Sequence, residues 1–337
     1  MKRFIQIVLI LSVVITVPRC HDGVPHYADN PEGNFKALWN ILDQHYCFFS
    51  YKKIDWDSVY NAYYPRVSAS MTNDELFMLM GEMLAELKDG HVNLVAPHDM
   101  TRYWKWHEDF PANFDWSIIK KYLGTDYAIA GGMRYKILTD NVGYIYYGSF
   151  SNNVEQANLD EIIRRMEKCH GIILDIRNNG GGNLTNADRI ASRFFTERTL
   201  IGYILHKTGK GHNDFSRPYP RYIKSSQRKI FKKKVVVLTN RSSYSATNEF
   251  ANIMKYAPQA TIVGDKTGGG SGLPFSSELP NGWRIRFSAS PMLNAEKQHI
   301  EFGIEPDIHI RLLDSDVNEN RDTLIEKARE IIHQAAK

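Results

Sequence analysis

Three short apolar runs limit the fold more than any other feature of this chain. They are residues 171–176 (GIILDI), 234–239 (KVVVLT) and 260–264 (ATIVG). None alternates apolar with polar, so each reads as a strand buried on both faces, as in a parallel sheet sandwiched by helices. Helical stripes lie between them: Ala187, Ile190, Ala191 and Phe194, then a helix over 245–256. Residues 142–147 predict an earlier strand, and Leu159, Ile162, Ile163 and Met166 one face of a helix. Residues 273–279 and 283–289, joined by Pro280-Asn281-Gly282, predict a hairpin, and residues 320–334 a terminal helix. Strand, helix, strand with short links implies an α/β domain with a mainly parallel sheet.

The 337 residues leave room for a second, smaller unit. Helical stripes fill residues 33–87: Phe35, Leu38, Trp39, Leu42 and Tyr46; then Trp56, Val59, Tyr60 and Tyr63 after Asp55; then Leu76 to Leu87 after a Thr72–Glu75 capping box. Ahead of them, Met1-Lys2-Arg3 precedes an apolar run over 4–17 and then Pro18-Arg19-Cys20. Fourteen residues is short of the ~20 that span a bilayer, so the run reads as an export signal. A Cys at its end fits a lipoprotein signal, with Cys20 as membrane tether on the periplasmic or surface side of a bacterial cell envelope. The expected division is 1–20 export signal, 30–95 helical N-terminal domain, 96–132 irregular aromatic linker, 133–315 α/β domain and 316–337 C-terminal helix. Three cysteines make no disulfide framework. A net charge of +4 gives no support to nucleic-acid binding, and the ten Lys/Arg of residues 206–234 are expected to form a solvated face. No metal-site spacing is present, and no cofactor is implied.

Ligand sites of open α/β sheets lie at the carboxyl ends of strands. After GIILDI comes Arg177-Asn178-Asn179-Gly180-Gly181-Gly182, a turn whose backbone N–H groups can approach a developing negative charge. After KVVVLT comes Asn240-Arg241-Ser242-Ser243-Tyr244-Ser245-Ala246-Thr247, with more hydroxyls than one helix cap needs, leaving one for nucleophilic work. A base is required as well, and Asp89-Gly90-His91 ends the helical stretch. On spacing alone, a structural histidine and a catalytic one are both open.

In order along the chain, DGHVNL, LDIRNNGGG, LTNRSSYSATNEF, TIVGDKTGG and GIEPDI resemble the tail-specific (C-terminal processing) serine peptidases, in particular their tricorn-core-like branch. The resemblance covers about 33–312. It implies a crotonase/ClpP-like core behind a helical N-terminal domain, and hydrolysis of peptide bonds in unfolded or C-terminal segments of proteins. It implies Ser245 as nucleophile, His91 as base and Glu301 as the group orienting His91, directly or through water. Ala246 and Gly181 would supply the oxyanion hole, with Gly180 able to replace Gly181. Two positions depart from the pattern. Gly90 stands where the branch has a serine beside its histidine, and Gly270 where the larger branch has its catalytic lysine. A PDZ module is not expected, because only about forty residues separate Leu94 from the first core strand.

These departures keep two alternatives open: a Ser–Lys peptidase using Lys266, with Asp265 beside it, and a non-catalytic peptide-binding protein on a degenerate scaffold. Protein or peptide substrates are the expected partners. The sequence carries no signal of oligomeric state.

Overall fold

The computed structural model describes residues 27–337; the expected signal and Cys20 lie outside the described residues. The strands, in chain order, are β1 (Asn93–Val95), β2 (Ala128–Ala130), β3 (Met133–Ile137), β4 (Gly143–Tyr146), β5 (Gly171–Asp175), β6 (Thr199–Ile204), β7 (Tyr219–Ile223), β8 (Lys234–Thr239), β9 (Ala260–Gly264), β10 (Gly272–Glu278), β11 (Arg284–Leu293) and β12 (Ile308–His309).

One sheet runs β12-β9-β8-β5-β4-β3-β2, parallel from β12 to β4 and antiparallel beyond it. Its central strands are apolar throughout because both faces are covered. Ile172, Leu174, Val235 and Val237 pack into a core with the helices Gln156–Met166, Leu184–Ala191 and Ala246–Met254. The alternate residues Ile173, Val236 and Leu238 pack into a second core with the helices Trp116–Leu123 and Thr323–Ala335. The two-residue period of a strand thus serves two cores at once. The terminal helix starts three residues later than the sequence suggests, because Asp322 caps it by accepting from the N–H groups of Leu324 and Ile325.

The helical stretch forms as read. Asn30 caps Pro31–His45 through Gly33 N–H at 2.8 Å, Asp55 caps Trp56–Tyr63, and Thr72 and Glu75 make a reciprocal capping box on Asn73–Ala85. Its core is shared with a distant segment: Phe35, Leu38, Leu42, Met80 and Leu84 pack with Leu279, Trp283, Ile285 and Phe287 of the β10–β11 hairpin. That hairpin joins β1, β6 and β7 in an antiparallel sheet of its own. The hairpin therefore packs with the helices as well as with the α/β half to which its sequence position assigned it.

Residues 96–132 depart from the expected irregular linker. They carry the short helices Lys105–Glu108 and Trp116–Leu123, and they are tied to the strand ends. Asn240 Nδ2 donates to Ala112 O at 2.8 Å, and Arg241 donates to Trp106 O. The fully buried Arg177 donates to Asn113 O and forms ion pairs with Asp175 (2.6 Å) and with the helix-capping Asp322 (2.9 Å). This arginine of the glycine-turn motif fastens three segments together.

Candidate active site

Ser245 lies between β8 and the helix Ala246–Met254, with φ 60° and ψ −120°. A left-handed non-glycine residue is strained, by about 1–3 kcal/mol. Here its neighbours hold it. Ser245 N–H donates to Gly269 O (2.8 Å), Tyr244 N–H to Asn179 O (3.1 Å) and Gly268 N–H to Ser243 O (2.9 Å). The Ser245 side chain does not cap the helix that it opens. The buried serine of the run, Ser243, donates to Ile176 O at 2.9 Å, a purely structural bond. The Ser245 hydroxyl instead meets His91 Nε2 at 2.9 Å, across 154 positions of chain.

His91 reaches this point from the turn after the helix Asn73–Ala85. Its N–H donates to Asp89 Oδ1 (2.8 Å), and β1, two residues on, pairs with β11 through Asn93 and Arg286. The ring is buried. Burial pushes its pKa down to about 4; Asp89 opposes the shift, and Arg286 and Lys52 reinforce it. The imidazole is therefore neutral at pH 7, able to accept a proton at Nε2 when Nδ1 carries the hydrogen.

Behind His91 sits a buried ion cluster that the sequence reading missed. Lys52 Nζ lies 3.3 Å from Asp89 Oδ2 and 2.9 Å from Glu301 Oε1. Asp89 also accepts from Tyr46 OH (2.9 Å) and Ser288 Oγ (3.0 Å). Burial alone would raise the Asp89 pKa, but the Lys52 ammonium, the His91 ring and backbone N–H and the Tyr46 hydroxyl outweigh it and hold the carboxyl below its usual range. Glu301 is pushed up to about 7, by burial against the pull of Lys52 and with the Asp89 charge adding to it. The Asp-x-His spacing was a visible signal for Asp89. Lys52, at the end of the aromatic-rich stretch Phe48-Phe49-Ser50-Tyr51, gave none.

Of the role expected of Glu301, orienting His91 directly or through water, the direct bond is not made here. Its carboxylate is committed to Lys52 and to Ser271 N–H (2.7 Å), not to His91. His91 Nδ1 is buried, and no side chain among the described residues bonds it; a backbone contact with Gly272 favours the protonated ring. Glu301 does not bond Nδ1 because both Glu301 oxygens are engaged elsewhere, Oε1 by the Lys52 ammonium and Oε2 by the Ser271 N–H.

The glycine turn arrives beside Ser245 as expected. Gly181 has φ +100°, and a Cβ there would stand 2.8 Å from Ser245 Cβ and 3.0 Å from Ala246 N, so only glycine fits. Its N–H, however, donates to Asn179 Oδ1 at 3.0 Å, and the same oxygen accepts from Thr247 Oγ1. Gly180 is exposed on the cleft, and a Cβ there would meet nothing within 4 Å. Ala246, at the first helical position, has an N–H with no intrahelical acceptor. Ala246 and Gly180 are thus the donors open to an oxyanion.

Lys266 is directed elsewhere. Its ammonium pairs with Glu305 Oε1 at 2.8 Å near the surface, and Asp265 takes the Lys266 backbone N–H rather than the ammonium. Nothing ties Lys266 to Ser245.

Both departures at 90 and 270 have one physical cause. Tyr244 and Trp106 stack with ring centroids 3.9 Å apart, and the Tyr244 ring meets the edge of His91 at 5.0 Å. A Cβ on Gly90 would lie 2.6 Å from Trp106 Nε1 and 2.9 Å from Tyr244 OH; one on Gly270 would lie 2.3 Å from the Tyr244 ring. The aromatic pair fills the space that a serine or a lysine side chain would need.

Two cavities meet at the Ser245–His91 pair. The larger, about 640 Å³, is walled by Tyr103, Trp104, Trp106 and Tyr244. The smaller, about 310 Å³, runs past Ala246 to Leu273, Pro274 and Met292. Both include His91, Ser245, Gly182 and Arg286. Residues 100–107, taken from sequence as linker, form one lip of this groove.

Comparison with known proteins agrees with this arrangement. The sequence model of peptidase family S41 matches residues 141–310, and that of the tricorn protease C1 domain matches 27–85. The carboxy-terminal processing protease CtpB of Bacillus subtilis (strain 168) is 27% identical over 184 residues, covering 52% of this chain and 35% of that protein. The match thus spans about a third of the length of such curated relatives. A solved structure from Parabacteroides merdae ATCC 43184 is 55% identical, with a TM-score of 0.87, covering 90% of this chain and 97% of that one. Mature CPAF, 13% identical with a TM-score of 0.68 over 90% of this chain and 96% of its own, shares the fold.

Proposed function

Since the chain belongs to peptidase family S41, we propose that it is a serine endopeptidase that hydrolyses peptide bonds in unfolded or carboxy-terminal segments of proteins. One observation carries this reading: a neutral, buried His91 stands 2.9 Å from the hydroxyl of a strained, uncapped Ser245. In this mechanism Ser245 Oγ attacks the peptide carbonyl while His91 Nε2 takes its proton. The resulting oxyanion is held by the Ala246 N–H and the glycine turn, next to the positive end of the helix. His91 then returns the proton to the leaving amine, and water, deprotonated by the same ring, releases the acyl group. Asp89 acts on the backbone of His91, and the Lys52 ammonium keeps Asp89 ionised. The test is cleavage of an unfolded protein such as reduced casein. Ser245→Ala should abolish it without lowering the melting temperature, and wild-type turnover by that variant would refute the assignment.

The Lys266–Glu305 ion pair weighs against the Ser–Lys alternative. From sequence we also propose export to the cell envelope, with Cys20 as lipid anchor. Mass spectrometry of the mature N-terminus decides this, and an unmodified start downstream of Cys20 would remove the anchor.

A further inference from the structure

The larger cavity has an uneven charge that the proposed chemistry does not use; the one carboxylate of the smaller cavity, Glu249, is already paired with Arg221. No aspartate or glutamate lines the larger cavity, whereas Arg102 and Arg286 both do. Arg102 is already paired, 3.0 Å from Asp99. Arg286 has no carboxylate within ion-pairing distance among the described residues, and its one side-chain hydrogen bond is a long 3.4 Å contact to Asn93 Oδ1. The nearby Asp89 is fully engaged by Lys52, Tyr46, Ser288 and the His91 N–H. A half-buried guanidinium without a counter-ion costs desolvation that a ligand can repay, and its planar fork matches a carboxylate. Arg286 also lines both cavities beside the Ser245–His91 pair.

Building on the peptidase reading, we propose that Arg286 binds a carboxylate of the substrate peptide within the aromatic cleft, beside the bond to be cut. Apolar side chains of the same peptide would lie against Tyr103 and Trp104. The arrangement has a further consequence. The Arg286 charge is one of the influences that weaken His91 as a base. A carboxylate bound to Arg286 offsets that charge, so substrate of the right chemistry strengthens the base as it binds.

The carboxylate can be the chain end or an acidic side chain, and binding to the inactive Ser245→Ala protein distinguishes them. Three fluorescent peptides of one apolar sequence are compared by anisotropy: one with a free C-terminus, one amidated, and one amidated with an internal Glu. The free acid should bind roughly 10- to 100-fold more tightly than the amide, as for a hydrogen bond to a charged group. The preference should vanish in R286Q and survive in part in R286K, which keeps the charge but loses the fork. Recovery of binding by the Glu peptide alone would assign the site to side chains. Equal binding of all three, no binding of any, or a preference that survives R286Q would overturn the proposal. Casein cleavage by the wild type, measured separately, tests the peptidase reading. Carboxylate preference without cleavage would leave the site standing and remove the enzyme.

Discussion

The two halves of the Ser–His pair are positioned in unlike ways. Ser245 and the glycine turn follow β8 and β5, which are adjacent parallel strands, and each is shaped by hydrogen bonds among neighbouring turns. His91, Asp89, Lys52 and Glu301 come from a helix end, a short helix and a late loop, brought together by a core shared between the N-terminal helices and the β10–β11 hairpin. The first arrangement is local geometry on a rigid sheet. The second depends on two packing surfaces meeting correctly, and on a buried lysine that links them.

Disabling either half at the chemistry should have the same large effect. Ser245→Ala and His91→Ala are each expected to lower kcat by on the order of 10⁴–10⁶, and the double variant by no more than either alone, because the two act as a unit. Additive losses in single-turnover assays would mean that the pair does not work together. The halves should separate at the next level down. Lys52→Met leaves two carboxylates buried without their cation, and removing one partner of a buried ion pair costs about 3–5 kcal/mol. Denaturant unfolding should therefore show a large loss of stability; a melt within about 1 kcal/mol of wild type would show that the cluster does not join the halves.

On the sheet side, Gly181→Ala should cost about 1–3 kcal/mol through its left-handed backbone and its clash with Ser245, with a loss of activity. Gly180→Ala, which points a methyl into open space, should stay within about 0.5 kcal/mol in the same melts. Equal effects would mean that the turn relaxes freely. The mildest probe is pH. The base form of His91 is the neutral one, and its pKa is pushed down to about 4, chiefly by burial. On the acid side kcat/KM should therefore hold from pH 7 to near 5 and fall about tenfold per unit only below about 4. An acid limb at the ordinary 6.5 would show the ring to be hydrated.

The same contrast explains what could be read from sequence. The apolar runs and the capping box are fixed by neighbours a few residues away, and the Ser245 and Gly180–Gly182 turns directly follow such runs, so their residues announce them. Glu301 was found by motif, but its bond to Lys52 was not, because nothing in the stretch Phe48-Phe49-Ser50-Tyr51-Lys52 marks that lysine as an ion-pair partner. The cleft lip at 100–107 was read as linker, because its aromatics have no periodicity until Tyr244 gives Trp106 something to stack on. Arg286 sits in a strand pattern and reveals its missing counter-ion only in three dimensions.

The Tyr244–Trp106 stack also limits what this site can become. Tyr244 blocks a side chain at both 90 and 270, and Trp106 adds to the block at 90, so neither a serine at 90 nor a lysine at 270 fits by a single substitution. Gly90→Ser alone should damage the site, and only trimming Trp106 or Tyr244 first would make the serine admissible. Converting this site to either of the other catalytic arrangements therefore takes at least two coordinated changes. Single substitutions are free to act only on the groove walls and their charges.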